Sequence, residues 1–136
     1  KNCIACAQMI MSDFGGEVPR DMDQMQKLPG VGRKTANVVL NEAFGIVEGI
    51  AVDTHVFRIA HKLKFAGPSA DTPAKTEEAL LSLYPREYWG PMNPQWVLFG
   101  RETCIARRPK CAACFISDLC PSCPKYLIGN RGNPQE

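Results

Sequence analysis

The sequence of 136 residues has no long apolar run and little net charge. A membrane-spanning helix needs about 18 consecutive apolar residues, and no segment approaches that length. The net charge is only +2. A charge this small argues against a general attraction to nucleic acid, so any site for phosphate groups must be local.

Signals for β-structure and for internal repeats are also missing. No segment alternates apolar and polar residues convincingly, whereas apolar residues recur at helical spacing along most of the chain. The hydrophobic content of 45% is enough for one core or for two small lobes. We therefore predict an all-α protein.

The first half of the chain contains three predicted helices. The first ends at Gly15-Gly16, a glycine signal for a helix C-terminus, and a short second helix runs from about residue 21 to 27. The third covers residues 33–44, with a predicted buried face and an opposite polar face. The predicted inward residues are Ile4, Ala7, Met11 and Phe14 in the first helix, Met22 and Met25 in the second, and Ala36, Val39, Leu40 and Ala43 in the third; Lys34, Asn37 and Asn41 form the polar face.

Three more helices are predicted from capping residues in the second half. Asp53 precedes a helix over residues 54–65, and Thr72-Pro73 is typical of a helix start. Asn93-Pro94 predicts a further helix that runs towards Gly100. The residues expected to be buried in these helices are Val56, Ile59, Ala60, Leu63, Leu80, Leu81 and Tyr84.

The two ends of the sequence carry expectations of their own. Lys1 lies inside a predicted helix without a preceding capping residue, so we expect an N-terminally truncated fragment. Proline, glycine and asparagine dominate the other end, and residues 125–136 are predicted to be a disordered tail.

Seven cysteines, an odd number with several members three residues apart, favour metal ligation over a disulfide framework. Four of them form the pattern C-x6-C-x2-C-x5-C within 17 residues. Such a thiolate set suits either an iron–sulfur cluster or zinc. The four ligand candidates are Cys104, Cys111, Cys114 and Cys120.

The remaining cysteines lie outside this pattern. Cys123 is interpreted as a spare thiol or an alternative ligand, and Cys3 and Cys6 as buried structural cysteines of the first helix in preference to a redox pair. Thiols used in this way indicate a protein of a reducing compartment. We therefore expect a cytoplasmic location, associated with the nucleoid in a bacterium.

Basic residues surround the cysteine pattern and form a local positive surface. Arg107, Arg108 and Lys110 lie between the first two ligand candidates, with Arg101 just before them. A positive loop held by a metal centre is a natural surface for phosphate groups. Taken alone, this is a weak indication of nucleic-acid binding.

A second phosphate-binding candidate is the segment Leu28-Pro29-Gly30-Val31-Gly32 between two predicted helices. This helix–hairpin–helix pattern lets backbone N–H groups approach a phosphate without reading base sequence. The alternative is a tight turn that uses proline and glycine only to join two core helices.

Lys34 and Asp53 are the candidate catalytic residues. The helix dipole and the adjacent Arg33 disfavour the protonated form of the Lys34 amine, which favours attack on a sugar carbon. The Asp53 carboxylate would assist proton transfer and stabilise positive charge. The alternatives are a solvated lysine or a phosphate contact, and an aspartate that only caps its helix. His55 is expected to be a DNA contact or a packing residue.

Three segments together resemble endonuclease III, of the helix–hairpin–helix DNA glycosylase family. Residues 28–40 read L-P-G-V-G-R-K-T-A-N-V-V-L, residues 51–58 read A-V-D-T-H-V-F-R, and residues 100–114 read G-R-E-T-C-I-A-R-R-P-K-C-A-A-C. The resemblance extends from Lys1 to about Pro124, with the segments in the family's order and at similar spacing.

This resemblance implies roles for individual residues. The four-cysteine pattern would hold a [4Fe–4S] cluster, and Lys34 and Asp53 would be the catalytic lysine and aspartate. The implied DNA-binding residues are Leu28, Pro29, Gly30, Val31, Gly32, Arg33, His55, Arg107, Arg108 and Lys110.

The implied function is base excision repair. The enzyme would remove oxidised pyrimidines from double-stranded DNA and cleave abasic sites by β-elimination, as a monomer that does not bind membranes. Two alternatives stay open: a monofunctional glycosylase on the same scaffold, and a non-catalytic DNA-binding module with a four-cysteine zinc site.

The resemblance also implies a domain organisation. Residues 1–60 would be part of a six-helix barrel, with the helix–hairpin–helix at residues 21–44. Residues 61–124 would form the iron–sulfur domain, and residues 125–136 the tail. Because further helices of the family are absent, the isolated chain is expected to be weakly active or inactive.

Overall fold

The structure, a computed structural model, describes residues 1–129, and no strand occurs within them. The all-α prediction is therefore confirmed for this part of the chain. No helix among these residues has the length and apolar character needed to cross a membrane. The α-helices are α1 (Asn2–Asp13), α2 (Met22–Met25), α3 (Arg33–Phe44), α4 (Thr54–Lys62), α5 (Pro73–Leu83), α6 (Trp89–Glu102) and α7 (Cys123–Gly129); 3-10 turns lie at Arg86–Tyr88, Cys111–Ala113 and Ser117–Leu119.

The chain divides into two compact units, Lys1–Ala51 and Val52–Glu136. The sequence had placed a boundary at residue 60. In the structure α4 packs against α5 and α6, which groups it with the second unit. Of the predicted tail, residues 125–129 belong to α7, and residues 130–136 lie outside the described residues.

The first unit is built around the short helix α2. Asp21 caps this helix by accepting a hydrogen bond from the Gln24 N–H at 2.9 Å. Both methionines of α2 are buried, as predicted. The core of the unit consists of Met22, Met25, Leu28, Ala36 and Leu40.

Helix α1 contacts this core through a different face from the one predicted. Ile4 and Met11 are 68% and 70% exposed. The inward residues are Cys6, Met9, Ile10 and Phe14. Of the predicted stripe, only Phe14 packs against the core, whereas Ile4, Ala7 and Met11 are exposed. Cys3, which was expected to be buried, is also exposed. Several apolar faces can be drawn through this helix, and the position of α2 decides which one is buried. The predicted end at Gly15-Gly16 is confirmed, since the Gly16 N–H donates to the Ile10 carbonyl at 2.9 Å.

Helix α3 has the predicted bounds but a rotated inner face. Asn37, which was predicted to lie on the polar face, is only 4% exposed, whereas Ala43 is exposed. Ala36 and Leu40 are buried as predicted. The helix ends at Gly45, whose φ of 65° is left-handed.

In the second unit, two caps are as predicted. The Thr72 hydroxyl accepts from the Lys75 N–H, and Pro73 is the first residue of α5. Asp53 caps α4. Helix α4 ends at Lys62 instead of residue 65, because Lys64 takes a left-handed φ of 62°.

Helix α6 begins at Trp89, five residues before the predicted proline. Pro94 therefore lies inside the helix and is not its first-turn residue. The earlier start is stabilised by a 3-10 turn that runs directly into the helix, and by the Trp89 indole N–H, which donates to the Tyr84 carbonyl at 2.8 Å.

Candidate functional site

The turn of the hairpin requires glycine at Gly30. Its φ is +83°, and a Cβ placed there would lie 3.0 Å from the Cβ of Asn2 in α1. The turn is closed by the Val31 N–H, which donates to the Leu28 carbonyl at 3.0 Å. Because the Leu28 side chain is buried, the hairpin is anchored in the core of the first unit.

Gly32 lies at the N-cap of α3 with an extended backbone, φ −91° and ψ 175°. No side chain of the described residues caps this helix start. A Cβ on Gly32 would have open space around it within 4 Å. The helix therefore presents its first N–H groups and the positive end of its dipole to an exposed surface, which suits an anion.

Lys34 is the second residue of α3 and lies next to Arg33. Both side chains are exposed. Lys34 therefore has the predicted position at the helix start, whereas burial of the lysine amine is not a feature of this chain. The lysine follows the hairpin directly.

Asp53 caps α4 with one carboxylate oxygen. Its Oδ1 accepts hydrogen bonds from the N–H groups of His55 and Val56, both at 2.8 Å. Its Oδ2 accepts none from a residue that the structure describes. The capping interpretation is therefore confirmed, and one oxygen stays available for other chemistry. Asp53 belongs to the second unit and Lys34 to the first.

His55 is a packing residue in the second unit. Its Nδ1 lies 3.2 Å from a terminal nitrogen of Arg58. A Cβ on Gly100 would lie 2.6 Å from the same Nδ1, so the imidazole occupies the space that glycine leaves on α6. These contacts support the packing alternative, and the DNA contact stays a prediction.

The four cysteines of the pattern converge on one cavity of about 30 Å³. Cys104 follows α6, Cys111 and Cys114 begin and follow one 3-10 turn, and Cys120 follows the next. Apolar side chains such as Ile59 and Phe99 line it as well, together with polar residues such as Lys62 and Ser122. All four thiols are partly buried, and this sulfur-rich, apolar enclosure fits an iron–sulfur cluster.

Two thiols of this cavity, those of Cys104 and Cys111, have a raised pKa. Burial raises the pKa of the Cys111 thiol to about 11, and the neighbouring Cys123 thiol acts in the same direction. Burial also raises the pKa of Cys104, although the charges of Lys62 and Arg58 oppose the increase. A bound metal centre would stabilise the deprotonated ligands.

Zinc and a cubane cluster require different arrangements of four thiols. Within residues 1–129, no group of three or more His, Cys, Asp or Glu side chains is placed to hold one metal ion. Zinc needs all four sulfurs about 2.3 Å from a single atom. A cubane cluster binds each sulfur through a different iron and so holds the sulfurs farther apart.

The basic loop between the first two ligands is exposed and firmly held. Arg107, Arg108 and Lys110 are exposed, whereas Pro109 between them is buried. The Lys110 N–H donates to the Thr103 carbonyl at 2.9 Å and closes the loop. Three positive side chains thus project from a fixed backbone, as a phosphate-binding surface requires.

Two basic residues of α4 that the sequence did not indicate hold the start of the cysteine loop. One terminal nitrogen of Arg58 donates to the carbonyls of Cys104 at 2.9 Å and Gly100 at 3.1 Å. The Lys62 amine donates to the Ile105 carbonyl at 3.4 Å. Their spacing of four residues on one helix face was visible in the sequence, but their partners lie more than forty positions away in the chain.

The fold and this site define a helix–hairpin–helix protein with an iron–sulfur domain. Residues 13–42 match the helix-hairpin-helix motif, and residues 104–120 match the iron-sulfur binding domain of endonuclease III. The second match supports a [4Fe–4S] cluster as the cofactor.

Curated relatives extend the similarity to most of the chain. Endonuclease III of Bacillus subtilis is 47% identical over 88% of this chain and 54% of its own length. Endonuclease III of Escherichia coli is 47% identical over 88% of this chain and 56% of its own length. The chain thus spans about half the length of these relatives. Over most of its own length, the chain is therefore similar to part of endonuclease III.

Solved structures agree with this assignment. A non-covalent endonuclease III–DNA complex is 41% identical, with a TM-score of 0.86 over 93% of this chain and 58% of that chain. A trapped endonuclease III–DNA covalent intermediate gives 41% identity and a TM-score of 0.85 over the same shares. A thermostable thymine-DNA glycosylase is 30% identical, with a TM-score of 0.77 over 91% of this chain and 58% of that chain.

Proposed function

We propose that this protein acts in base excision repair, as a DNA glycosylase that also cleaves the strand at abasic sites. The observation that carries the proposal is Lys34 at the second position of α3, directly after a hairpin whose helix start is not capped by a described side chain. Two of the similar solved structures are endonuclease III–DNA complexes, one of them a trapped covalent intermediate.

DNA would be held through its backbone. The N–H groups at the hairpin and the start of α3 would bind one phosphate segment, assisted by Arg33. The exposed side chains of Arg107, Arg108 and Lys110 would bind another. These contacts read no sequence, which suits a repair enzyme that must act wherever damage occurs.

The proposed chemistry begins after the damaged nucleotide has left the base stack. The neutral Lys34 amine attacks the sugar C1′, a nitrogen–carbon bond forms, and the glycosidic bond to the base breaks. The base leaves with its electron pair and a proton. The nitrogen lone pair then forms the second bond to C1′ while the C1′–O4′ bond breaks, and O4′ takes up the remaining amine proton, so the opened sugar is joined to lysine by an imine.

Strand cleavage would follow by β-elimination. The imine acidifies the sugar C2′, which loses a proton, and the bond to the 3′ phosphate breaks. Asp53, through its oxygen Oδ2, would assist the proton transfers and stabilise the developing positive charge.

We propose oxidised pyrimidines in duplex DNA as the substrate class, with the protein acting as a monomer in the cytoplasm or nucleoid.

Cys104, Cys111, Cys114 and Cys120 would hold the cluster. Its contribution is structural: it fixes the loop that carries the basic side chains. Metal analysis tests this part, because iron with acid-labile sulfide supports the cluster, whereas a colourless protein with one zinc ion supports the non-catalytic module.

Borohydride trapping tests the chemistry. Borohydride reduces the imine and should link the protein covalently to a duplex that contains an abasic site. Lys34→Ala should abolish the adduct, whereas Lys27→Ala, which removes another exposed lysine of the first unit, should leave it. An adduct that persists in Lys34→Ala would place the nucleophile elsewhere. A Lys34→Ala protein that still removes bases at the normal rate would support a monofunctional glycosylase.

A further inference from the structure

A fifth thiol, that of Cys123, lies at the cysteine cavity although it is outside the four-cysteine pattern. Its side chain is only 3% exposed. It lines the cavity that Cys104, Cys111, Cys114 and Cys120 also line. A buried cysteine usually serves packing alone. Here, however, the sulfur faces a set of metal-binding side chains.

Cys123 is a neighbour of Cys111 in the thiol cavity. Burial raises the pKa of the Cys111 thiol, and among the neighbouring thiols Cys123 adds most to this increase. Cys111 and Cys123 also border a second, more open pocket together with Cys120, whereas Cys104 and Cys114 do not line it. Cys123 therefore lies on the side of the ligand set where Cys111 is found.

The position of Cys123 is determined by neighbouring residues. The Cys123 N–H donates to the Cys120 carbonyl at 3.1 Å. The Ser122 hydroxyl donates to the Lys62 carbonyl at 2.6 Å, and the Lys62 amine lies 4.6 Å from the centre of the Tyr126 ring. Ser122 before Cys123 and Tyr126 after it thus both contact Lys62 of α4. These contacts hold the Cys123 thiol at the cavity.

We propose that Cys123 is a reserve ligand of the iron–sulfur site that can take the place of Cys111. This inference rests on the iron–sulfur site of the proposed function. The exchange replaces one thiolate by another, and the proton of the incoming thiol passes to the outgoing sulfur. Charge and electron count are unchanged, so no oxidant or reductant is required.

Paired alanine variants test the exchange through metal content, independently of repair activity. Alanine is used because a serine oxygen would itself be able to bind iron. Cys111→Ala should retain most of the iron and acid-labile sulfide per chain, together with the visible absorption of the cluster. Cys111→Ala/Cys123→Ala should lose most of both.

The matched control uses Cys114, a ligand that does not share the second pocket with Cys123. Cys114→Ala should lose the cluster to the same extent whether or not Cys123 is present. Equal loss in Cys111→Ala and in its double variant would overturn the proposal, as would equal retention in both. A wild-type protein without iron and sulfide would instead overturn the iron–sulfur site itself, and the reserve role with it.

A milder variant keeps the test valid if the ligand variants fail to fold. Cys123→Ala retains all four proposed ligands and removes only the reserve thiol. Iron release from this variant to a chelator should be faster than from wild type by roughly tenfold, a typical cost of losing a residue that supports a metal site. Cys3→Ala, which removes an exposed cysteine of the first unit, should release iron at the wild-type rate. Equal rates for Cys123→Ala and wild type would contradict the reserve role.

Discussion

At the residue scale, Asp53 shows how one side chain can serve structure and chemistry together. Its Oδ1 accepts two hydrogen bonds at the start of α4, and its Oδ2 accepts none from a described residue. Capping needs an oxygen that accepts hydrogen bonds, whereas the proposed chemistry needs a negative charge. Substitutions that remove one property and keep the other therefore separate the two roles.

Asp53→Asn should retain the cap and lose the charge. We expect a nearly unchanged free energy of unfolding, DNA affinity close to wild type, and a fall in strand-cleavage rate of about 10²-fold or more. Urea titration, DNA-binding titration and single-turnover cleavage measure the three quantities. Asp53→Ala should in addition lose about 1 kcal/mol of stability through loss of the cap. Normal turnover in both variants would leave Asp53 with the capping role alone.

The two hairpin glycines should respond to alanine in different ways. Gly30→Ala places a Cβ at φ +83° and 3.0 Å from the Asn2 side chain, and should lower the free energy of unfolding by about 1–2 kcal/mol. Gly32→Ala meets open space at an ordinary φ and should cost less than about 1 kcal/mol.

DNA affinity distinguishes Gly32 further. Its new Cβ would stand where a phosphate approaches the helix start, so Gly32→Ala should bind DNA more weakly while it stays folded. Thermal unfolding and fluorescence anisotropy with a labelled duplex measure the two effects. Unchanged affinity in a folded Gly32→Ala protein would show that the hairpin is only a turn.

At the element scale, α4 supports the cysteine loop through Arg58 and Lys62. The guanidinium of Arg58 joins α4 to the carbonyls of Gly100 and Cys104, and its Nε is buried without a hydrogen-bond partner among the described residues. Arg58 therefore links α4 to Cys104, the first of the four proposed cluster ligands.

Arg58→Ala should therefore destabilise the second unit. We expect a loss of about 2–4 kcal/mol in the free energy of unfolding, because two carbonyls lose a charged donor. Cluster content should fall as well. Arg101→Ala removes an exposed arginine near the end of α6 and should change stability by less than about 0.5 kcal/mol. Equal effects of the two substitutions in urea unfolding would argue against the supporting role of Arg58.

The basic loop should act through charge alone. Arg108→Ala should weaken binding to all DNA sequences alike, and should reduce the slope of log affinity against log salt concentration by about 1. Lys75→Ala provides the control and should leave the slope unchanged. The exposed Lys75 amine of α5 is already paired with the Asp71 carboxylate, at 2.8 Å. A salt dependence that Arg108→Ala leaves unchanged would exclude this residue from the phosphate contacts.

At the scale of the whole molecule, the two units should respond differently to loss of the cofactor. Both tryptophans, Trp89 and Trp96, belong to the second unit, so their fluorescence reports on that unit alone. After iron is removed by a chelator, the tryptophan unfolding transition should move to lower denaturant concentration. Amide exchange should increase more in α4 and α6 than in α3. A uniform increase throughout the chain would contradict this expectation.

Much of the local structure follows from neighbouring residues and was therefore predictable. The caps at Asp53 and Thr72, the end of α1 at Gly15-Gly16, and the bounds of α3 each depend on a few consecutive residues. The cysteine pattern is local in the same sense, because its four members lie within 17 residues. The sequence alone thus determined the all-α class, several helix ends and the four cysteines of a metal site, whereas the pattern by itself left iron–sulfur and zinc both open.

The tertiary structure decided which faces are buried and which distant groups meet. Ile4 is exposed and Asn37 buried, contrary to the periodicity, because the position of a neighbouring helix selects among several possible inner faces. Arg58 reaches Cys104 across 46 positions, and Cys123 joins the thiol cavity through contacts with α4. Sequence spacing describes neighbours along the chain, whereas these contacts depend on how the helices pack in space.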